Sequence, residues 1–159
     1  MPFTPVASKA VVLGAGSVLS IGGPTGSTGT ETFTPIGELT DFSLDSQTVA
    51  ITNNTNFDSG QIVKKLGTLL DFGKLSGTMN FVPTNAGQMA LLAARNSGVA
   101  YDFTLQLLPQ PLWGETTTGR LYAISGIVTE AGGFDLSQTK VSQGKFTIDI
   151  NSITVTPGA

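Results

Sequence analysis

Histidine and cysteine are both absent from this sequence, and together the two absences remove a large share of enzyme chemistry. Without histidine the chain lacks the commonest general base and the commonest transition-metal ligand. Without cysteine it has no disulfide, no thiolate metal site and no thiol nucleophile, and the redox compartment stays open. Charge is scarce as well. Asp, Glu, Lys and Arg make up 12% of the 159 residues, against about 25% in ordinary soluble proteins. Disorder does not explain the deficit, because 40% of the residues are hydrophobic and disordered chains combine low hydrophobicity with high charge. The exterior is instead clothed in Thr, Ser, Asn, Gln and Gly. Such a surface fits a chain much of whose exterior becomes subunit contact, since charge is depleted at the cores of protein interfaces.

Long apolar runs are missing too, and none approaches the ~20 residues of a membrane span. No basic segment followed by an apolar stretch opens the chain, so no secretory signal is read there. A soluble chain made in a cytoplasm and folding as a single domain is the expectation. The net charge of −3 argues against nucleic-acid affinity, which needs clustered Lys and Arg to replace phosphate counterions. Lys64-Lys65 is the only adjacent basic pair, and it reads as a solvated strand edge rather than a phosphate site.

What is present is mainly strand, with one helix. Residues 1–10 read as a loose N-terminal arm, with a short strand from Ala10 to Leu13. Further strands are expected at Ser17–Ile21, Phe33–Leu44, Gln47–Thr52, Gln61–Lys65, Lys74–Val82, Tyr101–Leu108, Arg120–Glu130 and Gln143–Val155. Gly22–Thr32 is rich in Gly, Ser and Thr and reads as loop. Leu75, Gly77, Met79 and Phe81 alternate with Ser76, Thr78 and Asn80, so one face is apolar and the other polar. The helix spans 85–97, with Asn85 and Gln88 as a capping box and Gly98 as a left-handed cap. Trp113 anchors the following loop. The segment 46–72 reads as a hairpin arm projecting from the compact part. Its tip, around Asn54 and Phe57, is rich in turn-formers. Its flanks carry Val49, Ile51, Ile62, Val63, Leu66, Leu69, Leu70 and Phe72, apolar surface that an isolated hairpin cannot bury. A bare two-stranded hairpin is at best marginally stable in water, so this arm is expected to be covered by another subunit.

Candidate chemistry is thin. Val11–Leu19 has glycines spaced as in the start of a dinucleotide fingerprint, but Leu19 stands where the third glycine belongs and no helix follows. No Gly-x-Ser-x-Gly elbow exists, and no Ser–Lys pair is singled out as a nucleophile and base. Glu38, Asp41 and Asp45 lie close together, yet their spacing matches no cation-binding loop. They read as a solvated strand face. Asn53-x-Thr55 is a formal glycosylation sequon, here no more than a polar loop tip. Neither enzymatic activity nor a cofactor is expected.

In order along the chain, several segments resemble the major tail tube proteins of long-tailed, siphovirus-type bacteriophages. These are VLSIG before a Gly-rich loop, PIGELTDF (35–42), SLDSQTVAITNNTNF, GKLSGTMNFVP leading into an Ala- and Leu-rich helix, SGVAYDFTLQL, and the closing SGIVTEAGGFDLSQTKVSQGKFTIDINSITV. The resemblance covers about Val12 to Val155. It implies a mainly β fold, a sandwich or barrel-like domain with a flanking helix, spanning 1–159 without the C-terminal immunoglobulin-like domain of some members. It further implies a virion protein whose hexameric rings stack into a hollow tube. That tube would enclose a tape measure protein, meet tail terminator and distal tail proteins at its ends, and pass double-stranded DNA. Glu38, Asp41, Asp45 and Asp149 are then candidate lumen carboxylates. Two other readings are a tube protein of the type VI secretion kind and a capsid decoration or adhesion module. The latter should show clustered aromatic and Arg hot spots, which this sequence lacks.

Overall fold

The computed structural model describes residues 16–55 and 62–159. The N-terminal arm, the strand expected at 10–13 and the hairpin tip including Phe57 lie outside the described residues.

Two long strands organise the fold. β8 (Leu121–Gly132) and β9 (Gln143–Thr156) pair antiparallel from Gly132↔Lys145 to Leu121↔Thr156. On the β8 side the sheet adds β7 (Ala100–Gln106), β1 (Val18–Pro24) and the two-residue β2 (Thr34–Pro35). On the β9 side it adds β6 (Lys74–Asn80) and β3 (Leu39–Leu44). The resulting seven-stranded order is β2-β1-β7-β8-β9-β6-β3, antiparallel throughout. The sheet curls into a half-barrel, so the barrel-like form of the expected architecture is the one realised. β4 (Thr48–Asn53) and β5 (Lys65–Asp71) form a separate two-stranded hairpin.

Strand alternation places the core on one face. Phe146, Ile148 and Ile150 of β9 point the same way and are buried with Leu75 and Met79 of β6, Ile124 and Val128 of β8, Phe103 and Leu105 of β7, and Leu19 and Ile21 of β1. Burial of each such large side chain contributes about 1.5–3 kcal/mol. Gly77 sits opposite Phe146 in this layer. A Cβ there would stand 2.4 Å from the Asp41 carbonyl oxygen and 2.9 Å from the Phe146 ring, so the missing side chain makes room for the aromatic.

The helix α1 (Ala86–Ser97) covers part of this face with Leu91 and Ala94. Its caps are those expected: Gln88 N–H donates to Asn85 Oδ1 at 3.1 Å, and Gly98 adopts φ 67°. The second half of the capping box differs. The Gln88 side chain is buried and does not reach back to Asn85. Its Oε1 accepts from Val82 N at 3.0 Å, and its Nε2 donates to Gly37 O at 3.1 Å and Asn80 O at 2.9 Å. One amide thus ties the helix to the end of β6 and to the 36–38 turn.

That turn is a departure from the continuous strand expected at Phe33–Leu44. Ile36 is buried while its N–H still donates to Leu19 O at 2.8 Å, and Glu38 then takes a left-handed φ of 62°, a conformation uncommon outside glycine. Phe81 also leaves the expected apolar face: β6 ends at Asn80, and Phe81 stacks on Phe134 at 4.6 Å. The strand expected at Gln61–Lys65 instead begins at Lys65 and runs to Asp71. The pairing Thr48↔Asp71, just beyond Leu44↔Leu75, fixes that register, because only short links join the hairpin to β3 and β6. In the 110–120 loop the buried anchor is Glu115 rather than Trp113 alone. Glu115 accepts from Gln110 N at 3.0 Å and Arg120 Nε at 3.2 Å, while the Arg120 guanidinium lies 4.6 Å over the Trp113 ring.

Replacing Gln88 by Ala leaves one buried N–H and two carbonyls without this partner. The expected loss is about 3 kcal/mol of unfolding free energy, measured by urea denaturation. Asn85→Ala, which removes only the cap, is expected to cost about 1 kcal/mol.

Candidate assembly surface

Because the core occupies one face of the sheet, the opposite face is set by the intervening residues. Across β3, β6 and β9 these are Asp41↔Thr78↔Lys145 and Ser43↔Ser76↔Thr147, followed by Lys74↔Asp149. Across β7, β8 and β9 they are Asp102↔Ser125↔Ser152 and Thr104↔Ala123↔Thr154. The face is therefore dominated by hydroxyls, with carboxylates and lysines interspersed. Many of these groups bond one another: Thr40 and Thr78 hydroxyls meet at 2.6 Å, Thr25 Oγ1 donates to Asp102 Oδ1 at 2.7 Å, and Thr147 Oγ1 donates to Glu130 Oε2 at 3.3 Å. A shallow groove of about 400 Å³ runs between Asp41, Ser76, Thr78, Glu130, Lys145 and Thr147.

The four candidate carboxylates are not all brought together. Asp41 and Asp149 lie on this polar face: Asp41 Oδ1 accepts from Thr78 N at 3.1 Å, and Asp149 Oδ1 lies 3.8 Å from Lys74 Nζ. Both partners of that ion pair are half exposed, so it contributes little to stability. Glu38 sits in the left-handed turn before β3, its Oε2 3.4 Å from Asn80 Nδ2. Asp45 follows β3 at the root of the hairpin, where its N–H donates to Lys74 O at 2.9 Å. Glu130 and Asp102 share the polar face and were not singled out from sequence. Alternation within β8 and β7 is the signal that finds them, once the strand limits are known. Asn151 falls in a register shift after Asp149, and Ser152 continues the polar side.

The hairpin arm is a different kind of surface. Every residue of β4 and β5 is exposed, with Ile51 62% and Leu69 73% accessible. Val49 faces Leu70, and Ile51 faces Gly67. A Cβ at Gly67 would stand only 3.0 Å from Val49 Cγ1, so Val49 lies close over the bare Gly67 backbone on the face it shares with Leu70 and Ile51. Leu66, Ile62 and Val63 are exposed as well, and Asn54 closes the described part of the hairpin, its N–H donating to Lys64 O at 2.8 Å. Phe72 differs from the other arm residues, being half buried against the core. Gly73, with φ +76°, turns the chain between that anchor and β6.

Among the described residues no group of three or more His, Cys, Asp or Glu is arranged to hold a metal ion, and no helix is long and apolar enough to cross a membrane.

No protein-family model and no curated protein matches the sequence. Solved structures do match the fold. A chain of the anti-feeding prophage baseplate, sixfold symmetrised, superposes with a TM-score of 0.60 at 8% identity, covering 99% of this chain and 98% of that one. A chain of the PVC extracellular contractile injection system, in its sheath/tube terminator in the extended state, gives 0.65 at 11% identity over 94% and 99%. The SPP1 tail tube gives 0.59 at 9% identity over 92% and 80%. The chain thus has a tail-tube-like fold, shared by chains of phage tails and of contractile injection systems.

The sheet and the arm are separable by their packing. Replacing residues 46–71 by a two-residue Asn-Gly turn, with Phe72 retained, should leave the seven-stranded domain folded. Its stability is expected to stay within about 1 kcal/mol of the parent, read by thermal unfolding followed by circular dichroism.

Proposed function

We propose that this chain is a structural tube subunit: copies associate into six-membered rings, and the rings stack into a hollow tail tube. The observation that carries this reading is the arm. Both of its strands are exposed and bear apolar side chains that no other described part of the chain covers, on a fold shared with the SPP1 tail tube. Solvating Val49, Ile51, Leu66, Leu69 and Leu70 is unfavourable, and contact with neighbouring copies removes that cost. Ile62 and Val63 extend the same surface, and Phe72 holds its root. Residues 1–159 serve as one tube domain, with the arm at 46–72 as its assembly element.

In this reading the hydroxyl-rich face lines the lumen. Asp41 and Asp149, with Glu130 and Asp102 beside them, repeat around each ring and along the stack, while Glu38 and Asp45 stand at its margins. A wall of hydroxyls with a modest excess of carboxylates repels a polyanion weakly and gives it nothing to bind. That suits transient, sequence-independent passage of double-stranded DNA. A tape measure protein would fill the lumen during assembly, and terminator and distal tail proteins would cap the tube within the virion of a long-tailed phage. The subunit has no catalytic role.

A second reading, a tube subunit of a phage-like contractile injection system, is favoured by the match over 98% and 99% of the anti-feeding prophage and PVC chains.

Electron microscopy of the purified protein tests assembly and lumen together. Rings or hollow tubes with sixfold end views are expected, with Asp41 and Asp149 on the inner wall of the reconstructed map. Monomers at every concentration and salt would overturn the assembly. Tubes carrying both carboxylates on the outer surface would overturn the lumen assignment alone.

A further inference from the structure

Among the described residues, three edges of the seven-stranded sheet are open, and they differ in how they are defended. β2 is only two residues long and ends at Pro35, which has no amide to offer. β3 carries Asp41 and a register shift between Leu39 and Asp41, and the left-handed Glu38 precedes it. Charges, prolines, bulges and short length are the ordinary guards against unwanted strand pairing. The third edge lies partway along β9. β8 accompanies β9 as far as Leu121↔Thr156, but β6 leaves it at Lys74↔Asp149. The last bond on that side runs from Ile150 N to Gly73 O at 3.1 Å, and there the chain turns away into the arm. Among the described residues Ser152–Thr156 is consequently paired on one side only, in regular register with β8. It contains no charge and no proline. This edge is unguarded.

The outer edge of β4 is equally bare, since among the described strands β4 pairs with β5 alone. The two segments also match in pattern. Thr48-Val49-Ala50-Ile51-Thr52 and Ser152-Ile153-Thr154-Val155-Thr156 both alternate small or hydroxyl residues with β-branched apolar ones. In β9 the hydroxyls lie on the polar face, opposite Ser125 and Ala123, while Ile153 and Val155 follow Ile124 and Tyr122 on the core side.

We propose that β4 of one copy adds to the Ser152–Thr156 edge of β9 in a second copy. Hydroxyls then continue the polar face across the junction, and Val49 and Ile51 extend the apolar layer beside Ile153 and Val155. This deepens the assembly reading and rests on it, because it names the contact by which copies join. The contact is heterologous: each copy offers one arm and one edge, so addition propagates into a ring or a filament rather than stopping at a symmetric dimer. Fold-back within one copy gives a different pairing, because β5, not β4, is the arm strand that leads into β6 beside β9.

The chain has no cysteine of its own, so disulfide trapping is clean. Copies carrying Ala50→Cys are mixed with tagged copies carrying Thr154→Cys; both positions are exposed and central to their segments. Cross-linking between copies should exceed, by at least about tenfold, that of Ala50→Cys with Leu136→Cys on the exposed 133–142 loop. Thr154→Lys, which guards the edge with a charge, should give a folded monomer that no longer assembles. Assembly without the 50–154 cross-link, or undiminished in Thr154→Lys, overturns this pairing and leaves the tube reading standing. A cross-link formed only within single copies of the double variant at high dilution also overturns it. Absence of both assembly and cross-link overturns the two together.

Discussion

A seven-stranded sheet has far more apolar face than one helix can cover, and most of the architecture follows from that mismatch. The twelve residues of α1 span about 18 Å, whereas seven strands side by side span roughly 30 Å. The sheet curls, and the apolar rows of β6 and β9 join those of β8, β7 and β1 in one layer. Leu91 and Ala94 of the helix complete it, and Gln88 locks the helix to the turn that delivers Ile36. Most of the large apolar side chains of the sheet are committed to that side, and the reverse face is left mainly to Ser, Thr and a few charges, with Ile127 opposite Asp149 and Leu121 opposite Thr156 as apolar exceptions. The arm, which belongs to neither face, keeps its apolar residues in solvent.

Scarcity of charge takes on a physical meaning in this arrangement. A monomer exposing Leu69 and Ile51 on a bare hairpin would ordinarily be defended by surrounding charge, and 12% charged residues offer little of it. Such a surface is tolerable when it is covered in the working state. In the proposed tube, a charge-poor wall with open strand edges would serve continuation of the sheet from copy to copy, and the same poverty of charge would leave the polar face without strong sites for a passing polyanion.

Much of the fold could be read from residues alone. Alternation of Leu75 and Met79 with Ser76, Thr78 and Asn80 marks the two faces of β6, and Asn85 with Gly98 marks the helix ends. Other features depend on tertiary context. The register shift at Asn151, the left-handed Glu38 and the inward turn of Ile36 arise because β8, β6 and the helix fix positions that no local propensity encodes. The shift of β5 to Lys65–Asp71 has the same origin. The candidate site was legible in part. The arm's apolar flanks are visible as composition, but Phe72 is separated from them only by its packing against the core. Glu38, Asp41 and Asp45 look like one cluster in sequence, yet one lies in a turn, one on the polar face and one at the root of the arm.

The central claim is that the arm of each copy is buried by another copy. Hydrogen exchange of the intact protein, compared between dilute and concentrated solution, tests it most directly. Amides of Thr48–Asn53 and Lys65–Asp71 should exchange rapidly when dilute, as expected for an exposed two-stranded hairpin, and slow by more than about tenfold on assembly, while β8 remains protected in both. Equal exchange of the arm in the two states, with the protein demonstrably assembled, would contradict the account.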